Sequence, residues 1–127
     1  MNPTPPAIFV STTDFDRLTA MLDALPSAEL VRLGRLAEEL DRAELLAPRD
    51  MPPDVVTMHS TVRFSIGAAA DDLRLTLVYP EEVEGRMDRI SVFAPVGSAL
   101  LGLPAGARID WPRPGGGMQT ITIREVA

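Results

Sequence analysis

The stretch "APRDMPPD", residues 47–54, separates two kinds of hydrophobic pattern. Its three prolines exclude a continuing helix, because proline lacks a backbone N–H and its ring clashes with the preceding turn. Before this stretch, apolar residues recur every three or four positions, and after it they alternate with polar residues. The first period indicates helices and the second indicates half-buried strands. The sequence therefore predicts an α+β chain divided into residues 1–50 and residues 51–127.

The part before the prolines predicts a helical hairpin. Residues 11–25, "STTDFDRLTAMLDAL", begin with hydroxyl residues suited to a helix N-cap. Residues 28–47, "AELVRLGRLAEELDRAELLA", continue with the same 3-4-3 spacing. Because only Pro26-Ser27 joins them, we expect antiparallel neighbours, a short coiled coil preceded by the extended piece "AIFV". The apolar stripes of the two helices are Phe15, Leu18, Leu22 and Leu25, and Leu33, Leu36, Leu40 and Ala43.

The part after the prolines predicts five short strands with one buried face each. Such one-sided alternation is typical of an antiparallel sheet, here strongly bent. Between the third and fourth strands, Pro95 suits the start of a short helix and Gly102 its end. The residues expected on the buried face are Val62, Phe64 and Ile66; Leu73, Leu75, Leu77 and Tyr79; Ile90 and Val92; Ile109 and Trp111; and Ile121 and Ile123.

The composition limits the classes of partner and compartment. The chain has 127 residues, a net charge of −6, no cysteine and twelve basic residues, all of them arginine. Disulfide scaffolds and thiolate metal sites are excluded, and the missing basic face argues against direct nucleic-acid binding. The amino-terminal residues lack the pattern of a signal peptide, and no apolar run approaches a membrane span. We expect a monomeric, cytoplasmic protein whose partner is another protein.

The sequence shows no pattern of a catalytic, cofactor or metal site. The glycine-containing stretch "SVFAPVGSALLGLPAG", residues 91–106, lacks the Gly-Lys-Ser/Thr of a phosphate-binding loop, and its glycines suit turns and a helix end. His59 is the single histidine, so no zinc site or nucleophilic triad is evident. The acidic groups Asp71-Asp72 and Glu81-Glu82-Glu84 lack the spacing of a calcium loop, so we interpret them as solvated turns.

The tip of the predicted hairpin carries two carboxylates, Asp23 and Glu29, on either side of Pro26-Ser27. They could contact a partner, for instance a metal ion held by that partner. They could equally be ordinary polar residues at an exposed turn.

Four segments in order resemble one family: "DVVTMHSTVRF", "LVYP", "ISVFAPVGSALLG" and "GARIDWPRPGG". Together they look like the C-terminal domain of the bacterial GreA/GreB transcript-cleavage factors. With "ELDRAEL" and "MPPDVVTM" before them, the resemblance is closer to the nucleoside diphosphate kinase regulator family, over residues 8–126. This resemblance implies an FKBP-like fold for residues 51–127 and binding to RNA polymerase near its secondary channel, in competition with Gre factors.

The resemblance also implies where the partner is contacted. The loop after the third strand, of Asp-Ser-Pro type in Gre factors, corresponds to Phe93-Ala94-Pro95, in which only Pro95 keeps the Gre identity. Phe93 is either a solvent-facing anchor for a partner or part of a second small core under the hairpin. Gre hairpins are much longer than the roughly 18 Å expected here, so we expect no stimulation of transcript cleavage.

Two alternatives stay open. The family name points to nucleotide metabolism through a kinase or another enzyme partner, although no sequence feature supports this. A residual prolyl isomerase is the other, but few of the six aromatic residues are placed to form its pocket.

Overall fold

The computed structural model describes residues 6–67, 72–113 and 115–127. These residues form four helices and seven strands. The helices are α1, Thr12–Asp23; α2, Ser27–Arg32; α3, Gly34–Arg42; and α4, Pro95–Leu100. The strands are β1, Phe9–Ser11; β2, Glu44–Leu46; β3, Thr61–Ile66; β4, Leu73–Val78; β5, Arg89–Ser91; β6, Arg108–Pro112; and β7, Met118–Val126. Two 3₁₀ turns cover Pro48–Asp50 and Pro80–Glu82.

The first helix agrees with its sequence signals. Ser11 is the N-cap, and its side-chain oxygen accepts a hydrogen bond from the Asp14 N–H at 3.1 Å. Leu18 and Leu22 are buried, as the apolar stripe predicts. The helix ends at Asp23 because Pro26 follows closely and restricts the residue before it.

The prediction of one continuous second helix over residues 28–47 is wrong. The backbone leaves helical geometry at Leu33, with φ −98° and ψ 16°, so that α2 and α3 are separate helices. Glycine follows at position 34, where low helix propensity makes such a break inexpensive. Residues Glu44–Leu46 are a strand, which pairs in parallel with β1 in the register Phe9–Glu44. The paired strands therefore bring the two ends of the segment that contains α1, α2 and α3 together.

The main sheet has five strands in the order β5-β4-β3-β7-β6. Its pairs are antiparallel except β4–β5, which is parallel, so the fully antiparallel sheet of the sequence analysis is corrected to a mixed one. Strand β5 is only three residues long and follows β4 through a 3₁₀ turn and a loop, a detour that returns the chain in the same direction as β4. The β3–β7 register shifts between Arg63 and Phe64, as at a β-bulge, which bends a strand.

One hydrophobic core joins the helical segment to the sheet. Leu36 and Leu40 from α3 belong to the same buried cluster as Phe64 and Ile121 from the sheet. The alternation fails at the end of β4, where Val78 is buried together with Leu77 and Tyr79, and Leu73 at its start is exposed. Helix α4 contacts α3, β5 and β6. It thereby fixes the segment just before it, which carries the predicted partner contact.

Candidate protein-interaction site

The segment Phe93-Ala94-Pro95, which we call the corner, connects β5 to α4. Ser91 holds it twice: its side-chain oxygen accepts from the Phe93 N–H at 3.0 Å, and its carbonyl accepts from the Ala94 N–H at 3.0 Å. Pro95 occupies the first turn of α4, where its missing N–H leaves no bond unmade. The corner is therefore a hydrogen-bonded turn with a defined shape.

Helix α4 packs tightly behind the corner because of two small residues. Ser98 is buried, and its hydroxyl donates to the Val92 carbonyl at 2.7 Å. A Cβ atom placed on Gly97 would lie 1.9 Å from the carbonyl oxygen of Ser91. Only glycine permits α4 to approach β5 this closely. Gly97 is needed for this packing and not for a turn conformation, since its φ is not positive.

Phe93 matches neither sequence alternative completely. It is half-buried and packs against the common core, so it is only partly solvent-facing, and no separate second core is formed around it by the described residues. Strand β5 ends at Ser91, so strand alternation does not set the direction of Phe93. Pro95 is exposed and Ala94 is half-buried. The corner thus presents a proline at the surface and one accessible part of an aromatic ring.

Phe93 and Pro95 line a groove of about 320 Å³, which we call the corner groove. The helical segment contributes four lining residues, Arg32, Leu33, Arg35 and Leu36. Strand β6 and the residue after it contribute three, Trp111, Pro112 and Arg113, and Ser98 comes from α4. Four of its lining residues are nearly inaccessible, the apolar Leu33, Leu36 and Trp111 and the polar Ser98, whereas its three arginines are exposed.

Arg35 bridges the two sides of the corner groove. Its guanidinium carbon lies 4.9 Å from the centre of the Trp111 ring, a cation–π geometry. Its Nη2 is 3.5 Å from the carbonyl oxygen of Asp110 on the same strand. The groove residues of the helices and β6 were missed by sequence reasoning, because no local signal says that α3 lies against β6. The single tryptophan beside two prolines was the only available hint.

The two predicted tip carboxylates, Asp23 and Glu29, do not line the corner groove. Asp23 is exposed at the last residue of α1. Glu29 is half-buried in α2, and its Oε2 accepts from Arg32 Nη2 at 2.6 Å and Nε at 3.3 Å. The pairing couples Glu29 to a lining residue of the corner groove, whereas Asp23 lines no part of it. The same region exposes apolar surface at Val31, which is 83% accessible.

A second polar cluster joins α1 to the end of β4. The Tyr79 hydroxyl donates to Asp14 Oδ1 at 3.3 Å, and the Arg17 guanidinium lies 3.7 Å from the centre of the Tyr79 ring. Arg17 also pairs with Glu81 at 2.9 Å. Burial, followed by the negative charge of Asp14, raises the pKa of Tyr79 to about 12. The cluster fixes the helical segment on the sheet on the α1 side, as Arg35 does on the α3 side.

Among the described residues, the ring of His59 has no hydrogen-bonded serine, which a nucleophilic triad would require. His59 adopts a positive φ of 73° in a turn, and its Nε2 lies 2.9 Å from Glu82 Oε1. This hydrogen bond, together with the Tyr79 N–H, lowers the pKa of Glu82. The neighbouring Ser60 is buried and bonds to Thr57 instead. Within residues 6–67, 72–113 and 115–127, no three His, Asp or Glu side chains are grouped as a metal site; Asp71 lies outside the described residues.

A larger opening of about 460 Å³ lies between the start of α1 and the proline-rich connector. Several of its polar groups are bonded within the protein. Asp14 Oδ2 accepts from the Met58 N–H at 3.3 Å, and the side chains of Thr57 and Ser60 are bonded together. Among the described residues, no buried side-chain nitrogen or oxygen atom lacks a hydrogen-bond partner, so no buried group in this opening points to a ligand. None of the helices in the described part of the chain is both long and apolar enough to span a membrane.

Comparisons with known proteins agree with this architecture. Residues 51–127 match the family described as "Transcription elongation factor, GreA/GreB, C-term", and residues 6–46 match "Rnk N-terminus". A regulator of nucleoside diphosphate kinase from Escherichia coli K12 is 39% identical over 121 residues, 95% of this chain and 89% of that relative. A transcription elongation factor GreA from Chlorobium phaeobacteroides is 31% identical over 87 residues, 67% of this chain and 54% of that relative.

A solved structure is similar over nearly its whole length. It is described as a prokaryotic transcription elongation factor GreA/GreB from Nitrosomonas europaea, with a TM-score of 0.75 and 47% identity, and the match covers 96% of this chain and 98% of that one. All these relatives are named as regulators or elongation factors, not as catalytic enzymes. The chain belongs to the nucleoside diphosphate kinase regulator family, with a Rnk N-terminus followed by a GreA/GreB C-terminal domain.

Proposed function

We propose that this protein is a non-enzymatic transcription regulator that binds RNA polymerase near its secondary channel and competes there with Gre factors. The observation that carries the proposal is the corner, a rigid turn in the GreA/GreB-like domain that exposes Pro95 and part of Phe93. An aromatic side chain beside a proline is suited to anchoring a protein contact, because it adds contact area with little loss of conformational entropy. The location of the corner corresponds to the loop that docks Gre factors in the family resemblance.

The length of the helical segment supports binding without stimulation of transcript cleavage. Helix α1 has 12 residues, about 18 Å, and α2 adds only 6 residues, about 9 Å. Neither reaches the length of the Gre hairpin that carries carboxylates into the polymerase active site. The protein would then occupy the docking surface without delivering catalytic groups.

Asp23 and Glu29 are proposed as additional contacts at the channel mouth. Asp23 is exposed and available, whereas Glu29 would contact the partner while still paired with Arg32. We further propose that the sheet with α4 is an FKBP-like unit, that the helices act as a short hairpin, and that the protein works in the cytoplasm as a monomer. These features follow from the family resemblance and the proposed partner.

Binding to purified core RNA polymerase, with and without a competing GreA protein, tests the proposal. Wild type should bind, GreA should displace it, and Phe93→Ala should weaken binding about tenfold, as expected for an interface anchor. Pro95→Ala is the second variant, because Pro95 is exposed and its loss costs little folding energy. Met87→Ala is the control, since Met87 is 95% accessible and lies outside the corner. Absence of binding at micromolar concentration would overturn the proposal.

Two further measurements test the absence of cleavage stimulation and the contribution of the tip carboxylates separately. In a transcript-cleavage assay on stalled elongation complexes, the protein should add nothing to the background rate and should reduce the effect of GreA. Stimulated cleavage would contradict the length argument. Asp23→Asn and Glu29→Gln should weaken polymerase binding by a few-fold if the tip contributes, and unchanged affinity for both would assign the contact to the corner alone.

The second candidate function is regulation of nucleotide metabolism through a kinase partner. One observation favours it: the relative that is 39% identical is named as a regulator of nucleoside diphosphate kinase. Co-purification of a nucleoside diphosphate kinase in the absence of polymerase would support this function. A change in kinase activity on addition of the purified protein would be the direct measurement.

A further inference from the structure

We infer that the corner groove binds an acidic segment of a partner protein, one that places an apolar side chain between the arginines. The inference rests on the proposed function, because Phe93 and Pro95 belong both to the corner and to the groove. It adds what the corner alone leaves open, namely the chemistry of the partner segment and the part that the helices play in recognising it.

The charge around the corner groove is opposite to that of the chain. The chain carries a net charge of −6, yet three of the lining residues are arginines and none of the described lining residues is an aspartate or glutamate. Arg32 is neutralised by Glu29, but Arg35 and Arg113 form no ion pair with any described residue. Two exposed guanidinium groups therefore lack a carboxylate partner among the described residues, although that of Arg35 also contacts the Trp111 ring and the Asp110 carbonyl. A guanidinium group has five N–H donors, so both can still bind a carboxylate.

The floor of the groove selects for an apolar side chain. Leu33 and Leu36 are 4% and 1% accessible, Trp111 is 3% accessible, and the half-buried ring of Phe93 lies beside them. A volume of about 320 Å³ suits one side chain of leucine or aromatic size together with adjoining backbone. The combination of an apolar centre and charged edges is the usual anatomy of a protein-binding patch.

A nucleic acid is the less favoured ligand of this surface. Arginine and tryptophan also bind single strands, but such binding needs a positive groove that follows several phosphates. Here the carboxylate of Glu29 lies beside Arg32, and Asp110 on β6 is exposed next to Trp111. The three arginines form a short positive site, so a long polyanion would extend past them to these carboxylates, whereas a short acidic segment would not.

The corner groove lies between the helical segment and the sheet, so a ligand bound in it would contact both. Arg35 joins α3 to Trp111, so a carboxylate that pairs with Arg35 also acts on the contact between helix and sheet. Because Trp111 is the only tryptophan of the chain, its fluorescence reports this event directly.

The test uses the full-length protein and a short peptide of glutamate, leucine and phenylalanine, with a second peptide in which every glutamate is lysine. The acidic peptide should change Trp111 emission saturably, and more weakly at high salt, because exposed charges are screened. Arg35→Gln and Arg113→Gln should each weaken its binding about fivefold. Arg108→Gln is the matched control, since Arg108 is exposed on β6 but does not line the groove.

Each other outcome is informative. Equal binding of the lysine peptide, or equal effects of Arg108→Gln and Arg113→Gln, would overturn the inference. Tighter binding of a short single-stranded DNA would replace the protein segment with a nucleic acid. Self-association in sedimentation velocity that Arg35→Gln abolishes would instead identify the occupant as a second copy.

The same variants distinguish this inference from the proposed function. If acidic peptide binds but core polymerase does not, the groove chemistry stands and the polymerase proposal fails. If polymerase binds normally to Arg35→Gln and Arg113→Gln while the peptide does not bind wild type, the polymerase proposal stands and the groove inference fails.

Discussion

The Tyr79 hydroxyl donates a hydrogen bond to Oδ1 of Asp14 at 3.3 Å, although 65 residues separate the two in the chain. The other oxygen of Asp14 accepts from the Met58 N–H at 3.3 Å. One carboxylate in the first turn of α1 therefore connects the helix to the end of β4 and to the connector before β3. These two bonds hold the start of α1 against the main sheet.

Tyr79 should control the stability of the protein at alkaline pH. Its pKa is raised from 10.0 to about 12 by burial and by Asp14. A raised pKa means that the folded state holds the proton more tightly, so this contribution is complete below about pH 10 and is lost as pH rises through about 12. The chain has one tyrosine, no cysteine and no lysine, so Tyr79 is its only side chain with an ordinary pKa near 10. Urea midpoints across this range, together with phenol absorbance, measure the effect.

Tyr79→Phe is the matched variant for this prediction. It keeps the ring under Arg17 and removes only the hydroxyl, so it should lower the free energy of unfolding at neutral pH by about 1 kcal/mol. Above about pH 10 its stability should stay flat while wild type declines. A variant that declines as steeply as wild type would show that another group is responsible.

Gly97→Ala should destabilise the protein by more than about 2 kcal/mol and disturb the corner. The added methyl group would lie 1.9 Å from the Ser91 carbonyl oxygen, a backbone atom that cannot move without displacing β5. Gly34→Ala is the control, because nothing lies within 4 Å of its Cβ position and its φ is not positive. That variant should be neutral or more stable by up to about 1 kcal/mol. Urea denaturation compares the two.

Leu36→Ala should lower the stability of the whole molecule by about 2–5 kcal/mol, since Leu36 is 1% accessible in the common core. Helix content by circular dichroism and Trp111 fluorescence in the sheet should lose their native values in one transition. Val31→Ala, at an 83% accessible position, should change stability very little. Two separated transitions would favour the predicted division into residues 1–50 and 51–127 as independent units.

Glu82→Gln should flatten the loss of stability in acid. The hydrogen bond from His59, and then that from the Tyr79 N–H, lowers the pKa of Glu82 below its ordinary 4.5. A lowered pKa contributes stability that is present above about pH 4.5 and is lost as pH falls through the folded-state value. Wild type should therefore lose more stability than the variant between mildly acidic and strongly acidic buffer. Equal losses in urea midpoint would contradict the role of this carboxylate.

The helical half shows where sequence reasoning stops. The N-cap at Ser11 and the buried positions Leu18 and Leu22 follow from local signals. The strand at Glu44–Leu46 does not, because "ELL" has the composition of a helix and becomes a strand only by pairing with β1. Propensity was overridden by a hydrogen-bond partner some 35 residues earlier, which no local window contains.

The sheet half was predicted more closely, and its error has a similar cause. Alternation located the five strands of this sheet, and Pro95 and Gly102 located the short helix. It could not give the direction of β5, because side chains alternate in the same way whichever way a strand runs. The direction is set by the path of the preceding loop.

The sequence by itself determined the α+β fold class, the family, and the change from helices to strands at the prolines. It also excluded a phosphate-binding loop. These depend on periodicity, on residue types and on ordered motifs, which are local properties. The tertiary structure alone decided that α3 lies against β6, and so brought Arg35, Trp111 and Phe93 around one groove. Such neighbours are chosen by the burial of a common core, whose contacts join residues far apart in the chain.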